Sequence, residues 1–216
     1  MPTFTTSFSE PPAITGLVAT PDPDLSAVAL TWDATTLGAA FWRFYVYREN
    51  ALGEFERIGE SETNAFTDFE APHGTAQYAV TQSNGWAESD PVSASTLLNL
   101  DYWIVDPLNP GASFSVPHVI TDSARHDPQA ERFAPLGRPA AVVVDGGRLA
   151  PDGTISARVL SYEDTIARIL RAGERRPYVL WKNPWGEVRR IRIGEVREER
   201  GGSATRVVTA DYTTVD

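Results

Sequence analysis

Short apolar–polar alternations, seldom longer than seven residues, run through most of the chain and predict strands. In the first half they fall at Ile14–Thr20, Ala27–Trp32, Trp42–Arg48, Phe55–Ile58, Ala65–Thr67, Ala76–Thr81 and Pro91–Ser95. The alternation is sharpest at Val28, Leu30 and Trp32, and at Phe44 and Val46, where Tyr45 and Tyr47 take the opposite face. Turn formers stand between the strands: Pro21-Asp22-Pro23-Asp24, Leu52-Gly53 and Asn84-Gly85. Seven strands in about 85 residues predict an all-β sandwich.

Beyond Leu97 the pattern coarsens. Residues 97–113 are too apolar for a free linker and predict a strand entering a second domain, with Tyr102, Trp103 and Val105 partly buried. Residues 118–131 have little periodicity and read as a long loop. Ala140–Val144 is a continuous apolar strand, and Asp145–Gly153 is a turn. Thr154–Leu160, Tyr178–Trp181, Val188–Val196 and Ala204–Tyr212 are further strands. In Val188–Val196, Ile191 and Ile193 face one side and Arg190 and Arg192 the other. One stretch changes period. In Ser161–Gly173, Tyr162, Ile166, Ile169 and Leu170 form a single apolar stripe, Ser161 is a capping residue and Gly173 a terminator, which predicts a helix over 161–172. The organisation expected is a first domain over 1–97 and a second over 98–216.

Charge sharpens this division. Residues 1–100 carry 13 acidic and 3 basic residues, a balance of −10, whereas residues 101–216 carry 16 of each. So acidic a first half argues against nucleic-acid binding there. Eighteen of the basic residues are arginine and one, Lys182, is lysine, which fits a GC-rich coding genome and also suits interface ion pairs. The chain has no cysteine, hence no disulfide and no thiolate metal site. No apolar run reaches membrane-spanning length, and the first residues do not read as a signal peptide.

Two resemblances add to this reading. Pro-Pro-Ala-Ile-Thr-Gly-Leu-Val-Ala-Thr, then Leu-Thr-Trp, Phe-Tyr-Val-Tyr-Arg, Phe-Thr-Asp and Gly-Thr-Ala-Gln-Tyr-Ala-Val together resemble a fibronectin type III domain over residues 11–96. The resemblance implies that Trp32 is the core tryptophan of the second strand, that Tyr45 or Tyr47 is the third-strand tyrosine, and that Tyr78 is the corner tyrosine. The words Leu-Gly-Arg-Pro, Val-Val-Val and Gly-Thr-Ile-Ser, then the helix, then Leu-Trp-Lys-Asn-Pro-Trp-Gly-Glu resemble minor and distal tail proteins of long-tailed bacteriophages, over about residues 98–216. That implies a tail-tube-like β-sandwich with one flanking helix, assembled as a homo-oligomeric ring, hexameric in expectation, among other tail proteins. The location implied is the virion, assembled in the host cytoplasm.

The search for chemistry yields no catalytic residue, no cofactor and no metal site. His118, Asp122, His126 and Asp127 match no metal-ligand spacing, and no nucleophile elbow, phosphate loop or dinucleotide fingerprint occurs. The aromatic and arginine residues are more telling. Trp185 lies in a Pro–x–Gly turn, either offered to a partner or folded back on its own domain; Trp86 follows Asn84-Gly85 at a loop tip. With Trp103, Arg190 and Arg192 these are the candidate interface residues. The function expected is that of a structural tail protein, not an enzyme; the alternative is a module binding a glycan or other host-surface polymer.

Overall fold

The computed structural model describes residues 10–35, 37–116, 119–125, 128–133, 142–148, 152–160, 176–201 and 205–215. Strands dominate them, in two compact units: residues 1–100 with 184–187, and residues 101–183 with 188–216.

In the first unit the alternating stretches form β1 (Val18–Asp22), β2 (Ala27–Thr31), β3 (Arg43–Glu49), β4 (Phe55–Ser61), β5 (Ala65–Asp68), β6 (Gly74–Ser83) and β7 (Val92–Leu98). They pair antiparallel as a three-stranded sheet, β1-β2-β5, and a four-stranded sheet, β4-β3-β6-β7. Side chains at alternate positions of both sheets make the core: Val28, Leu30, Phe44, Val46, Tyr78 and Val80 are buried. Trp32, just past the end of β2, is buried with its ring edge-on to Phe44, centroids 5.1 Å apart. Phe66 of β5 occupies the space where Gly59 of β4 has no side chain. Three plus four strands with crossovers between sheets is the arrangement expected of a fibronectin type III sandwich. Tyr45 and Tyr47 both lie half-buried on the outward face, while Phe44 and Val46 face in. The first strand starts at Val18, not Ile14, and the expected turn residues Pro21 and Asp22 still pair with Val28 and Ala27.

Tyr78, Asp68 and Arg48 form a polar cluster inside this unit. The Tyr78 hydroxyl donates to Asp68 Oδ2 at 2.9 Å, Arg48 Nη1 lies 2.7 Å from the same oxygen, and the Glu70 amide donates to Oδ1 at 2.9 Å. Burial and the Asp68 charge push the Tyr78 phenol far above its ordinary pKa. Gln82 anchors the extended lead-in: its Oε1 accepts from Thr35 and its Nε2 donates to the Pro12 carbonyl at 2.7 Å.

In the second unit, β8 (Trp103–Val105), β9 (Phe114–Ser115), β10 (Val119–Arg125), β13 (Asp152–Leu160), β14 (Val179–Lys182), β15 (Val188–Gly201) and β16 (Thr205–Thr214) join in one antiparallel sheet, order β10-β13-β16-β15-β14-β8-β9. β11 (Pro128–Phe133) and β12 (Val142–Arg148) pair separately. One face carries the apolar cluster, including Ile104, Ile155, Trp181, Ile191, Val208 and Tyr212. Among the described residues this is a single large sheet with a two-stranded hairpin, where a second sandwich was expected. The helix expected over 161–172 lies outside the described residues.

Two further expectations change. Residues 118–131 are not one long loop, since β10 and β11 fall within them. The periodicity was hidden because Asp122 occupies a core-facing position opposite Ile155. It is held there by Trp181 Nε1, which donates at 3.0 Å, and by Arg189 Nη1 at 3.5 Å. Likewise the segment expected to turn from Asp145 is strand through Arg148. Arg189 also donates to the Tyr212 hydroxyl at 3.1 Å, so one polar network ties β10, β14, β15 and β16. Burial, with the Asp122 charge behind it, raises the pKa of Tyr102, whose ring stacks on Trp181.

Candidate functional site

The first unit offers aromatic rings to solvent. Trp42 precedes β3 and is 55% exposed; its amide donates to the Ser83 carbonyl, which fixes it beside the β6–β7 turn. There Gly85 takes a positive φ of +85°, and a Cβ on it would stand 3.8 Å from the Trp42 ring. Trp86 follows at 79% exposure, on a turn closed by Asn84 Oδ1, which accepts from the Trp86 and Ala87 amides. The Arg43 guanidinium lies 4.8 Å from the Trp42 ring centroid, and Arg57 lies 3.8 Å over Tyr45; both arginines pair with Glu60. Further along, the Tyr47 hydroxyl donates to Glu88, and burial together with that bond pushes its pKa up to about 12.

Of the sequence-predicted interface residues, Trp86 and Trp185 thus fall in the first unit, which takes in residues 184–187. Trp185 lies on the turn between β14 and β15 and is 71% exposed. Trp103 and Arg190 share the sheet face opposite the apolar cluster, by their register with Lys182 and Leu180. Arg192, two residues beyond Arg190, lies on that face too. Both arginines are exposed and Trp103 is half-buried. Arg190 reaches over the Tyr178 ring at 5.9 Å. Of the four candidates first weighed for a metal, Asp122 is committed to Trp181 and Arg189, and His118, His126 and Asp127 lie outside the described residues. Among the described residues no three His, Asp or Glu side chains gather as a metal ion would need. None of the helices among them is long and apolar enough to cross a membrane.

The same sheet face also carries a hollow of about 410 Å³. It spans four neighbouring strands: Ser123 of β10, Asp152 and Thr154 of β13, Asp211 and Thr213 of β16, and Gly194 of β15. A β-bulge makes room for it, since β15 loses register with β16 between Ile193 and Val196. Beneath it Gly153 lets Tyr212 pack close, because a Cβ there would stand 2.2 Å from the Ser123 carbonyl oxygen and 2.4 Å from the Tyr212 ring. Asp211 accepts from Thr154 Oγ1 at 3.2 Å and lies 3.7 Å from Arg197, which also holds Glu195 at 2.8 Å and so keeps that carboxyl below its ordinary pKa. The hollow is nearly silent in the local sequence. Its one local signal is a glycine inside a strand pattern, Ile193-Gly194-Glu195-Val196, which often marks a bulge.

Comparison with known proteins shows no family for the chain: no protein-family model matches it, and no curated protein matches it. Among solved structures it is similar to a fibronectin type III-like protein from Clostridium thermocellum, at 24% identity over 43% of this chain and 95% of that one, with a TM-score of 0.35. It is also similar to a segment of two fibronectin type III domains from chicken tenascin, at 14% identity over 82% and 97%, with a TM-score of 0.33. At those scores neither overlay adds to what the strand order shows. The class defined is a mainly β protein whose first unit is a three-plus-four-stranded sandwich.

Proposed function

We propose that the chain is a non-enzymatic interaction protein of a bacteriophage tail, a minor or distal component. Residues 98–216 assemble with copies of themselves into a ring, and the first unit reaches outward as a contact module. The observation that carries the interaction reading is the exposure of Trp42, Trp86 and Trp185, half of the six tryptophans. Each such ring forgoes on the order of 2 kcal/mol while it stays in water, and tryptophan is the residue most often found at the centre of interfaces. The tail assignment rests on the resemblance of residues 98–216, and their even charge balance lets copies approach. The −10 of residues 1–100 repels its own copies and favours a peripheral place for them.

The test is the mass of the purified full chain and electron microscopy of its parent particle. A symmetric multimer is expected, weakened by Trp185→Ala and by the pair Arg190→Glu with Arg192→Glu. A monomer in solution together with no copy on a tail refutes the ring. Indifference of the multimer to both variants moves the contact elsewhere. A second reading, contact with a host-surface glycan, is favoured by the two rings at the Gly85 turn, since flat indole faces suit the C–H faces of a sugar. Such a module stays monomeric and binds sugar.

A further inference from the structure

We propose that the hollow at the Gly194 bulge is a second, separate binding site, and that it takes one residue of a neutral sugar. The inference deepens the glycan reading given above and shares its premise that the chain meets carbohydrate. Its own grounds are the lining. The polar side chains that line it on this face are all oxygen groups: the hydroxyls of Ser123, Thr154 and Thr213 and the carboxylates of Asp152 and Asp211; the Tyr212 hydroxyl is committed to Arg189 and the Ser123 carbonyl. Carboxylates accept from ligand hydroxyls; Ser123 and Thr154, whose protons go to the Thr154 carbonyl and to Asp211, keep lone pairs that accept, and Thr213 both gives and accepts, which is the complement of a polyol. Asp152 is exposed and has no hydrogen bond or ion pair among the described residues, which offers its carboxylate to a vicinal diol.

Charge narrows the choice. Two carboxylates in the lining disfavour an anion. A cation is not called for either, because Arg197 already faces Asp211, and Arg192 stands opposite Thr213 on the same face. The volume falls within the range of small-ligand sites and accommodates a pyranose. Gly194 brings no side chain into it from β15.

The experiment is amide NMR of the labelled full chain titrated with glucose, galactose, mannose and N-acetylglucosamine, each alone. At least one sugar should perturb the amides of residues 123, 152–154, 194 and 211–213, with a dissociation constant on the order of millimolar. Asp152→Asn, a change at an exposed position, should weaken binding about threefold or more, because a charged acceptor is replaced by a neutral one. Gly194→Leu should fill the hollow and abolish binding, its spectrum showing whether the fold is kept. High salt should leave the affinity unchanged, as the ligand is neutral. Binding that is lost in Trp86→Ala but kept in Asp152→Asn and in folded Gly194→Leu overturns this site and leaves the glycan reading standing. No perturbation by any sugar overturns the site, and no binding by either route removes the glycan reading as well.

Discussion

Tyr78→Phe isolates one hydrogen bond in the core of the first unit. The ring of Tyr78 is fully buried, so the substitution keeps the packing and removes only the hydroxyl. What is lost is a bond of 2.9 Å to a carboxylate that is itself buried. A hydrogen bond to a charged acceptor contributes about 1.5–3 kcal/mol, against roughly 1 for a neutral pair. Asp68 retains Arg48 and the Glu70 amide, so its charge is not abandoned, and the lower part of that range applies: about 2 kcal/mol. Asp68→Ala should be worse, about 3–5 kcal/mol, because Arg48 and the Tyr78 hydroxyl both lose their acceptor. Urea unfolding followed by tryptophan fluorescence measures both. With a slope of about 1–1.5 kcal/mol per molar for a unit of this size, the Tyr78→Phe midpoint of the first unit should fall by about 1.5 M. The double variant should cost less than the sum, as expected for partners in one network. A Tyr78→Phe midpoint within about 0.3 M of wild type, or an Asp68→Ala protein as stable as Tyr78→Phe, would refute this account.

Three further outcomes are expected. Trp32→Ala should cost about 3–5 kcal/mol by opening a cavity beside Phe44, seen as loss of the first unit's unfolding transition at low urea. Asp122→Ala should destabilise the second unit by about 3 kcal/mol, since Trp181 Nε1 and Arg189 lose their shared acceptor; Asp122→Asn should recover part of this in the same assay. The phenols of Tyr47 and Tyr78 both have raised pKa values, so the fold prefers them protonated. Below pH about 10 that preference is silent; above it the unfolded chain loses protons that the folded chain keeps, and stability falls as pH rises. Denaturation midpoints across the alkaline range should therefore drop from about pH 10 upward. A Tyr47→Phe/Tyr78→Phe chain should drop less steeply, and an equal drop would contradict the assignment.

Local pattern by itself determined much of the first unit. The alternation at Val28, Leu30, Phe44 and Val46 set which faces turn inward, because side chains of a strand alternate whatever the strand pairs with. Tyr78 was legible too, as the corner tyrosine of a resemblance carried by whole words of sequence. The tertiary structure decided what depends on partners distant in the chain. Asp122 reads as a loop residue until Trp181, 59 positions away, supplies the donor that lets a carboxylate sit beneath a sheet. The hollow joins β10, β13, β15 and β16, whose neighbourhood is fixed by pairings over tens of residues, and Gly194 alone hints at it. The turns that carry Trp86 and Trp185 were legible, but the sequence left open whether Trp185 is offered outward or folds back on its own domain, and exposure of both rings is a tertiary outcome. Burial of Lys182, the one lysine, is another: it follows from a strand four residues long, all of it buried, and no single-residue rule foresees that.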